Sequence, residues 1–199
     1  MSDPSRWTLG AQVNCTDGNC GEVHALVVGP AGQLGPEGAR LTHLVVEPEG
    51  RIGLGRLVAM ELVESSGAVV ELSCSLNAFG SLPVAEESDV VKDLGAAYVL
   101  PKGAGLLRRA IREVLPEGET GLQTATPVLA TDGHIGVAYG LLTTPEDYAI
   151  TSVVVSEERL LWGHKIFAIP ISAVASFADG VELNLGMADV GQVAVGMRH

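Results

Sequence analysis

Three cysteines, five histidines and a pair of aspartates in matching turns are the side chains of this 199-residue chain with the most chemistry to offer. Cys15 and Cys20 flank Thr16-Asp17-Gly18-Asn19, His24 follows four residues later, and Cys74 stands far off in sequence. Thiols and an imidazole are zinc ligands, but closed tetrahedral sites usually use tighter spacing than this. Two cysteines on neighbouring strands also admit a redox-sensitive disulfide. The reading the residues favour is a third one, small core hydrophobes, because a matching segment described below carries Ala130 and Ile135 at these places. No metal ligand is assigned. Asp17 and Asp132 have the form of paired carboxylates for acid–base work. Each precedes a glycine, however, and turn chemistry accounts for both.

The histidines, His24, His43, His134, His164 and His199, show neither H-x-x-x-H nor H-E-x-x-H spacing. They read as surface or edge-strand residues. No G-x-S-x-G elbow is present. The glycine-rich run Gly50 to Gly55 lacks a following Lys-Ser/Thr and reads as a hairpin loop. Arg108, Arg109 and Arg112 form the basic cluster, suited to a phosphate or an acidic partner or else to a solvated helix face balanced by Glu113, Glu117 and Glu119. Trp7 and Trp162 are rare large side chains, placed either as interface anchors or in the core. The sequence thus assigns no catalytic, cofactor-binding or metal residue and predicts a non-enzyme. Arg108, Arg109, Arg112, Trp7 and Trp162 are its candidates for partner binding.

The elements that must position these groups are β-strands. Apolar residues make up 47% and charged residues 18%, a globular composition, and 25 glycines with 4% aromatics suit tight turns around a Val/Leu/Ala core. The formal charge of −12 is spread along the chain: residues 1–80 hold 9 acids against 4 bases, 81–121 hold 7 against 5, and 122–199 hold 8 against 3. Such a surface disfavours direct contact with nucleic-acid phosphates and with anionic membranes, and leaves a protein partner open. Met1 to Arg6 has no signal-peptide pattern, no apolar run reaches membrane-spanning length, and an odd number of cysteines makes no disulfide framework, so a cytoplasmic location is predicted.

The chain repeats itself. Val13 to Gly21, with its Thr-Asp-Gly, resembles Val128 to Gly136. Leu41 to Glu47 parallels Ile150 to Ser156, Arg56 to Leu62 parallels Lys165 to Ile171, and Val70-Glu71-Leu72 returns as Val181-Glu182-Leu183. Four blocks in one order identify a duplication. Strands are predicted near 8–14, 20–29, 41–47, 55–60 and 68–75, and near 122–130, 135–143, 149–156, 165–169 and 180–186. A helical turn is placed over 171–178. The expected organisation is a module over 7–80, a linker over 81–121 with a helix from Gly105 to Leu115, and a second module over 122–199.

This order resembles the PRC-barrel superfamily, on Asp17-Gly18, Gly21-Glu22-Val23, Leu41 to Val46, Arg56 to Val63 and Val69 to Leu72. The second copy repeats the pattern in Asp132-Gly133, Gly136-Val137, Ile150 to Val155, Ile169-Pro170-Ile171 and Val181 to Leu185. At the family's proline the first copy is aligned with Glu61, a departure. The resemblance implies an all-β fold of two small barrels acting in docking or as a scaffold. Known members sit in the reaction-centre H subunit and in the ribosome-maturation factor RimM. It therefore implies a protein partner or a homo-oligomer, with three alternatives: a peripheral subunit of a membrane energy-converting complex, a ribosome-associated assembly factor, or a small-molecule binder between the modules.

Overall fold

The structure is a computed structural model that describes residues 4–29, 38–48, 55–91, 108–113, 115–159, 163–178 and 180–197. For 86–91, 108–113, 158–159 and 163–164 the backbone alone is described. The first repeat runs β1 (Ser5–Thr8), β2 (Gln12–Cys15), β3 (Gly18–Val28), β4 (Leu41–Glu47), β5 (Arg56–Ala59), a 3-10 turn (Met60–Leu62), β6 (Val63–Ser65), β7 (Val69–Leu72) and α1 (Leu76–Gly80). A pair of strands follows, β8 (Glu86–Val91) and β9 (Arg108–Glu113). The second repeat runs β10 (Thr120–Gln123), β11 (Pro127–Ala130), β12 (Gly133–Thr143), β13 (Ile150–Arg159), β14 (Gly163–Pro170), a 3-10 turn (Ile171–Ala173), β15 (Val174–Ser176), β16 (Val181–Leu183), α2 (Met187–Val193) and β17 (Val195–Gly196). The chain is all-β, and each repeat curls one sheet into a half-barrel.

Val, Ile and Leu alternate with smaller or polar residues in the long strands, which suits a pleated surface with one packed face. The pairing is matched repeat for repeat. Val13 lies beside Val70 in a parallel ladder, as Val128 lies beside Val181. Both Thr-Asp-Gly hairpins carry a bulge, after Val13 and after Val128. Just beyond it, Gly21 and Gly136 pass so close to the next strand that an added Cβ would stand 2.1 Å from the Glu47 carbonyl oxygen and 2.4 Å from that of Ser156. Only glycine fits there.

Each sheet takes its first strand from the other repeat. β1 pairs with β12, with Trp7 opposite Leu141, and β10 pairs with β3, with Leu122 opposite Leu26. Trp7 and Leu122 are therefore equivalent residues exchanged across a pseudo-two-fold. The axis passes by the bridge between Arg40 and Ala149, where Leu41 N donates to Tyr148 O and Ile150 N donates to Ala39 O, both at 3.0 Å. Strands 8–14 and 122–130, predicted as continuous, are each two strands broken at a turn. The short strands β1 and β10 find their ladder partners across the junction. Buried side chains of both halves form one cluster, from Val13, Leu44 and Leu72 through Trp7 and Leu122 to Val153, Ile169 and Leu183. A smaller one, Ala25, Val27, Val45 and Ala85 with Leu57 and Leu115, covers the opposite face of the first sheet.

Two further expectations are corrected. Arg108 to Glu113 is a strand, not part of a helix. It pairs antiparallel with Glu86–Val91 in a register that sets Arg112 opposite Glu87. The ladder pairs the backbone groups of both segments, which helical spacing over a few residues does not secure in isolation. The counterpart of Pro170 in the first repeat also changes. Ser152 stands opposite Pro170 and His43 opposite Ala59, so Ala59, not Glu61, matches Pro170. Both residues precede a 3-10 turn in extended backbone, with φ −68° and −63°. Of the turn predicted over 171–178, the 3-10 segment Ile171–Ala173 is present, and β15 takes over from Val174.

Candidate functional site

The two aspartates act on the fold. Asp17 Oδ1 accepts a hydrogen bond from Leu76 N at 2.7 Å, and Asp132 Oδ1 accepts one from Met187 N at 2.8 Å. Each turn carboxylate thus caps the first free N–H groups of the helix that closes its repeat. The carboxylates belong to opposite repeats and serve separate helices. In the first repeat Ser75 adds a second cap through Ala78 N at 3.3 Å. That Ser75 cap was the overlooked sequence signal for α1.

The cysteines converge. Cys15 at the end of β2 and Cys20 in the bulge of β3 are buried, and Cys74, before α1, is part-exposed. Cys15 and Cys20 belong to one buried cluster, and Cys74 packs against that cluster. Burial, then the neighbouring thiols, push the Cys15 thiol far above the ordinary range, and burial also raises that of Cys20. Cys20 Sγ donates to Val13 O at 3.3 Å. His24, considered with them, instead pairs with Glu47 at 3.3 Å. Among the described residues no three His, Cys, Asp or Glu side chains gather as a metal site. The equivalent of Cys74 is Leu185, since Thr16 N bonds to Cys74 O and Thr131 N to Leu185 O, both at 3.0 Å. Where the first repeat has three thiols, the second has Ala130, Ile135 and Leu185.

His43 sits half-buried on the interior strand β4, not on an edge, and its Nδ1 is 3.1 Å from Thr42 Oγ1 and 3.4 Å from Glu119 Oε2. Thr42 Oγ1 is also 3.0 Å from Glu119 Oε2 and 3.2 Å from Val27 O. Hydroxyl, imidazole and carboxylate meet, yet one ring nitrogen faces both partners. A nucleophile relay needs one nitrogen on the hydroxyl and the other on the carboxylate. The arrangement instead fastens the start of β10 to β4. His134 is exposed on β12, the side chain of His164 is outside the described atoms, and His199 and Trp162 lie outside the described residues, as does the Gly50–Leu54 part of the glycine-rich loop.

Trp7 is buried. Its Nε1 donates to Thr143 Oγ1 at 3.0 Å and its ring meets Tyr148 edge-on, with centroids 6.1 Å apart. It anchors an interface, but the one between the repeats. No protein-family model matches this sequence, and no curated protein does. The assignment of function therefore rests on the molecule's own surface.

Two concavities among the described residues bear on that assignment. A cleft of about 600 Å³ runs between the Leu115–Leu122 segment and Thr126, Pro127, Phe177, Ala178 and Gly180, with Glu117, Glu119 and Thr120 on its wall. A smaller groove of about 240 Å³ lies between α2 and the second sheet, lined by Ile135, Phe167, Met187, Val190 and Ala194, with Lys165, Glu157 and His134 at its rim. Lys165 Nζ stands 5.5 Å over the Phe167 ring. Beside this groove Met187 is 50% exposed and Val195 66%, and Val193 is exposed too. On the first repeat Leu76, equivalent to Met187, is 39% exposed, and Val84, bridged to Arg56 as Gly196 is to Phe167, is 41% exposed.

Proposed function

We propose that this chain is a non-enzymatic docking protein, two barrel modules locked together that offer an apolar strip to a protein partner. One observation carries the reading. With Val69 as the exception, every large apolar side chain exposed among the described residues lies on a closing helix or within four residues after it, in both repeats. Scattered exposed apolar residues need no explanation, but a patch beside a groove and rimmed by polar groups marks interaction surfaces. Support also comes from the candidate catalytic groups, since Asp17, Asp132 and His43 are engaged in fastening elements together. The acidic balance of the chain favours a partner with basic groups around its apolar contact. A cytoplasmic place belongs to the same proposal, and among the described residues no helix is long and apolar enough to cross a membrane.

The test is copurification from native lysate with the wild-type chain and with the double variant Met187→Glu, Val195→Glu. A partner retained by the first and lost by the second is expected. Cosedimentation with ribosomal subunits, or recovery in a salt-releasable membrane fraction, would identify which analogy to the barrel family applies. A wild-type chain that stays alone and monomeric at all concentrations contradicts the proposal. The 600 Å³ cleft carries a second reading, a small-molecule binder between the modules. Ligands that raise the melting temperature of the wild type and not of Thr120→Trp would support it.

A further inference from the structure

We propose that Cys15, Cys20 and Cys74 constitute a peroxide-responsive redox site whose oxidised form is a Cys15–Cys74 disulfide. The three are the only cysteines of the chain, and folding packs them from two distant segments at one buried cluster. The second repeat shows what packing alone demands at these places, Ala130, Ile135 and Leu185, so the fold does not require sulfur at any of them. The backbone also brings Cys74 against the residue that follows Cys15. The parallel ladder of β2 and β7 pairs Asn14 with Glu71, and two residues on Thr16 N donates to Cys74 O at 3.0 Å, with Thr16 Oγ1 on the same oxygen at 3.4 Å. Cys20, in the bulge, is the other thiol near Cys15, and its own Sγ donates to the Val13 carbonyl.

Exposure fixes the order of events. Cys74 is the one thiol of the three open to solvent, so a hydroperoxide oxidises it first, its sulfur gaining an oxygen to become a sulfenic acid while the peroxide O–O bond breaks and water or an alcohol departs. The Cys15 sulfur then attacks the Cys74 sulfur, the S–O bond breaks, and the hydroxyl leaves with the Cys15 proton as water. Two thiols are oxidised and one peroxide is reduced. Because burial keeps Cys15 and Cys20 protonated, neither initiates the reaction. The new bond would staple the end of β2 to the residue preceding the Ser75 cap of α1, the helix whose Leu76 lies on the apolar strip. The inference is independent of the docking proposal.

The experiment treats the reduced full-length chain with hydrogen peroxide, blocks remaining thiols with iodoacetamide and maps tryptic peptides. Cleavage gives one peptide, Trp7 to Arg40, with both Cys15 and Cys20, and another, Leu57 to Lys92, with Cys74. The expected product is these two peptides joined, with Cys20 alkylated after unfolding, and its reversal by dithiothreitol. The joined peptides persist in Cys20→Ile and vanish in Cys15→Ala and Cys74→Leu, substitutions that copy the second repeat and so preserve packing. Three alkylated cysteines, a bridge within the Trp7 to Arg40 peptide alone, chains joined to one another through Cys74, or over-oxidised Cys74 with no bridge would each overturn the proposal.

Discussion

At the scale of the residue, matching positions in the two repeats separate what the fold needs from what one copy adds. Both copies keep the turn aspartate, and in both it caps a helix. Asp17→Ala and Asp132→Ala should each cost about 1 kcal/mol in urea unfolding, the usual value of a lost cap. The two effects should add, because the capped helices are separate. Trp7, by contrast, answers to Leu122, and its ring and indole N–H are matched by Tyr148 and Thr143 where the first repeat has Ala39 and Val28. Trp7→Phe leaves the Thr143 hydroxyl buried without that donor and should destabilise by about 1–3 kcal/mol. Asp147 tests the junction electrostatically. The Thr144 hydroxyl first, then Ala149 N–H and the Arg40 guanidinium, hold its carboxyl below the ordinary 3.8. A depressed folded value stabilises above the unfolded one and is lost as pH falls through the folded one. Wild type should therefore exceed Asp147→Asn in stability at neutral pH, and the two should converge below about pH 3.8 in pH-resolved denaturation.

At the scale of the element, the duplication was readable because β-branched blocks and Asp-Gly turns are local signals. Partner choice was not. The expected strands took in only the last part of β1 and of β10, and nothing in four residues says which of two similar sheets they join. The Arg108 to Glu113 strand was missed because Leu106, Leu107, Ala110 and Ile111 fit a helical face, while the β8 strand that pairs with it lies far back in the chain. Cys74 was named but not joined to the other two cysteines, for a similar reason. Extending the Val-Glu-Leu match two residues aligns Cys74 with Leu185, the apolar company that Cys15 and Cys20 keep. The exchange makes a prediction of its own. Removing residues 1–9 takes Trp7 out of the junction and bares β12 over Gly140 to Thr143. That truncation should lower stability by at least the roughly 3–5 kcal/mol of a core tryptophan, and gel filtration should show association through the exposed edge.

At the scale of the whole molecule, exchanged strands and a shared core make one cooperative body of two repeats, so calorimetry should record a single unfolding transition. Composition and charge gave fold class and the character of the surface, since both follow from residue types alone. The apolar strip was beyond sequence reading, because Met187, Val195, Leu76 and Val84 look like core residues until the short closing helices place them outside. The direct test of that strip is photo-crosslinking in living cells, with a photoreactive residue at position 187 or 195 and, as control, at exposed Glu182 on β16. A discrete protein adduct at 187 and 195 and none at 182 is the predicted result. Equal capture at all three positions, or none at any while the chain remains monomeric, would contradict it.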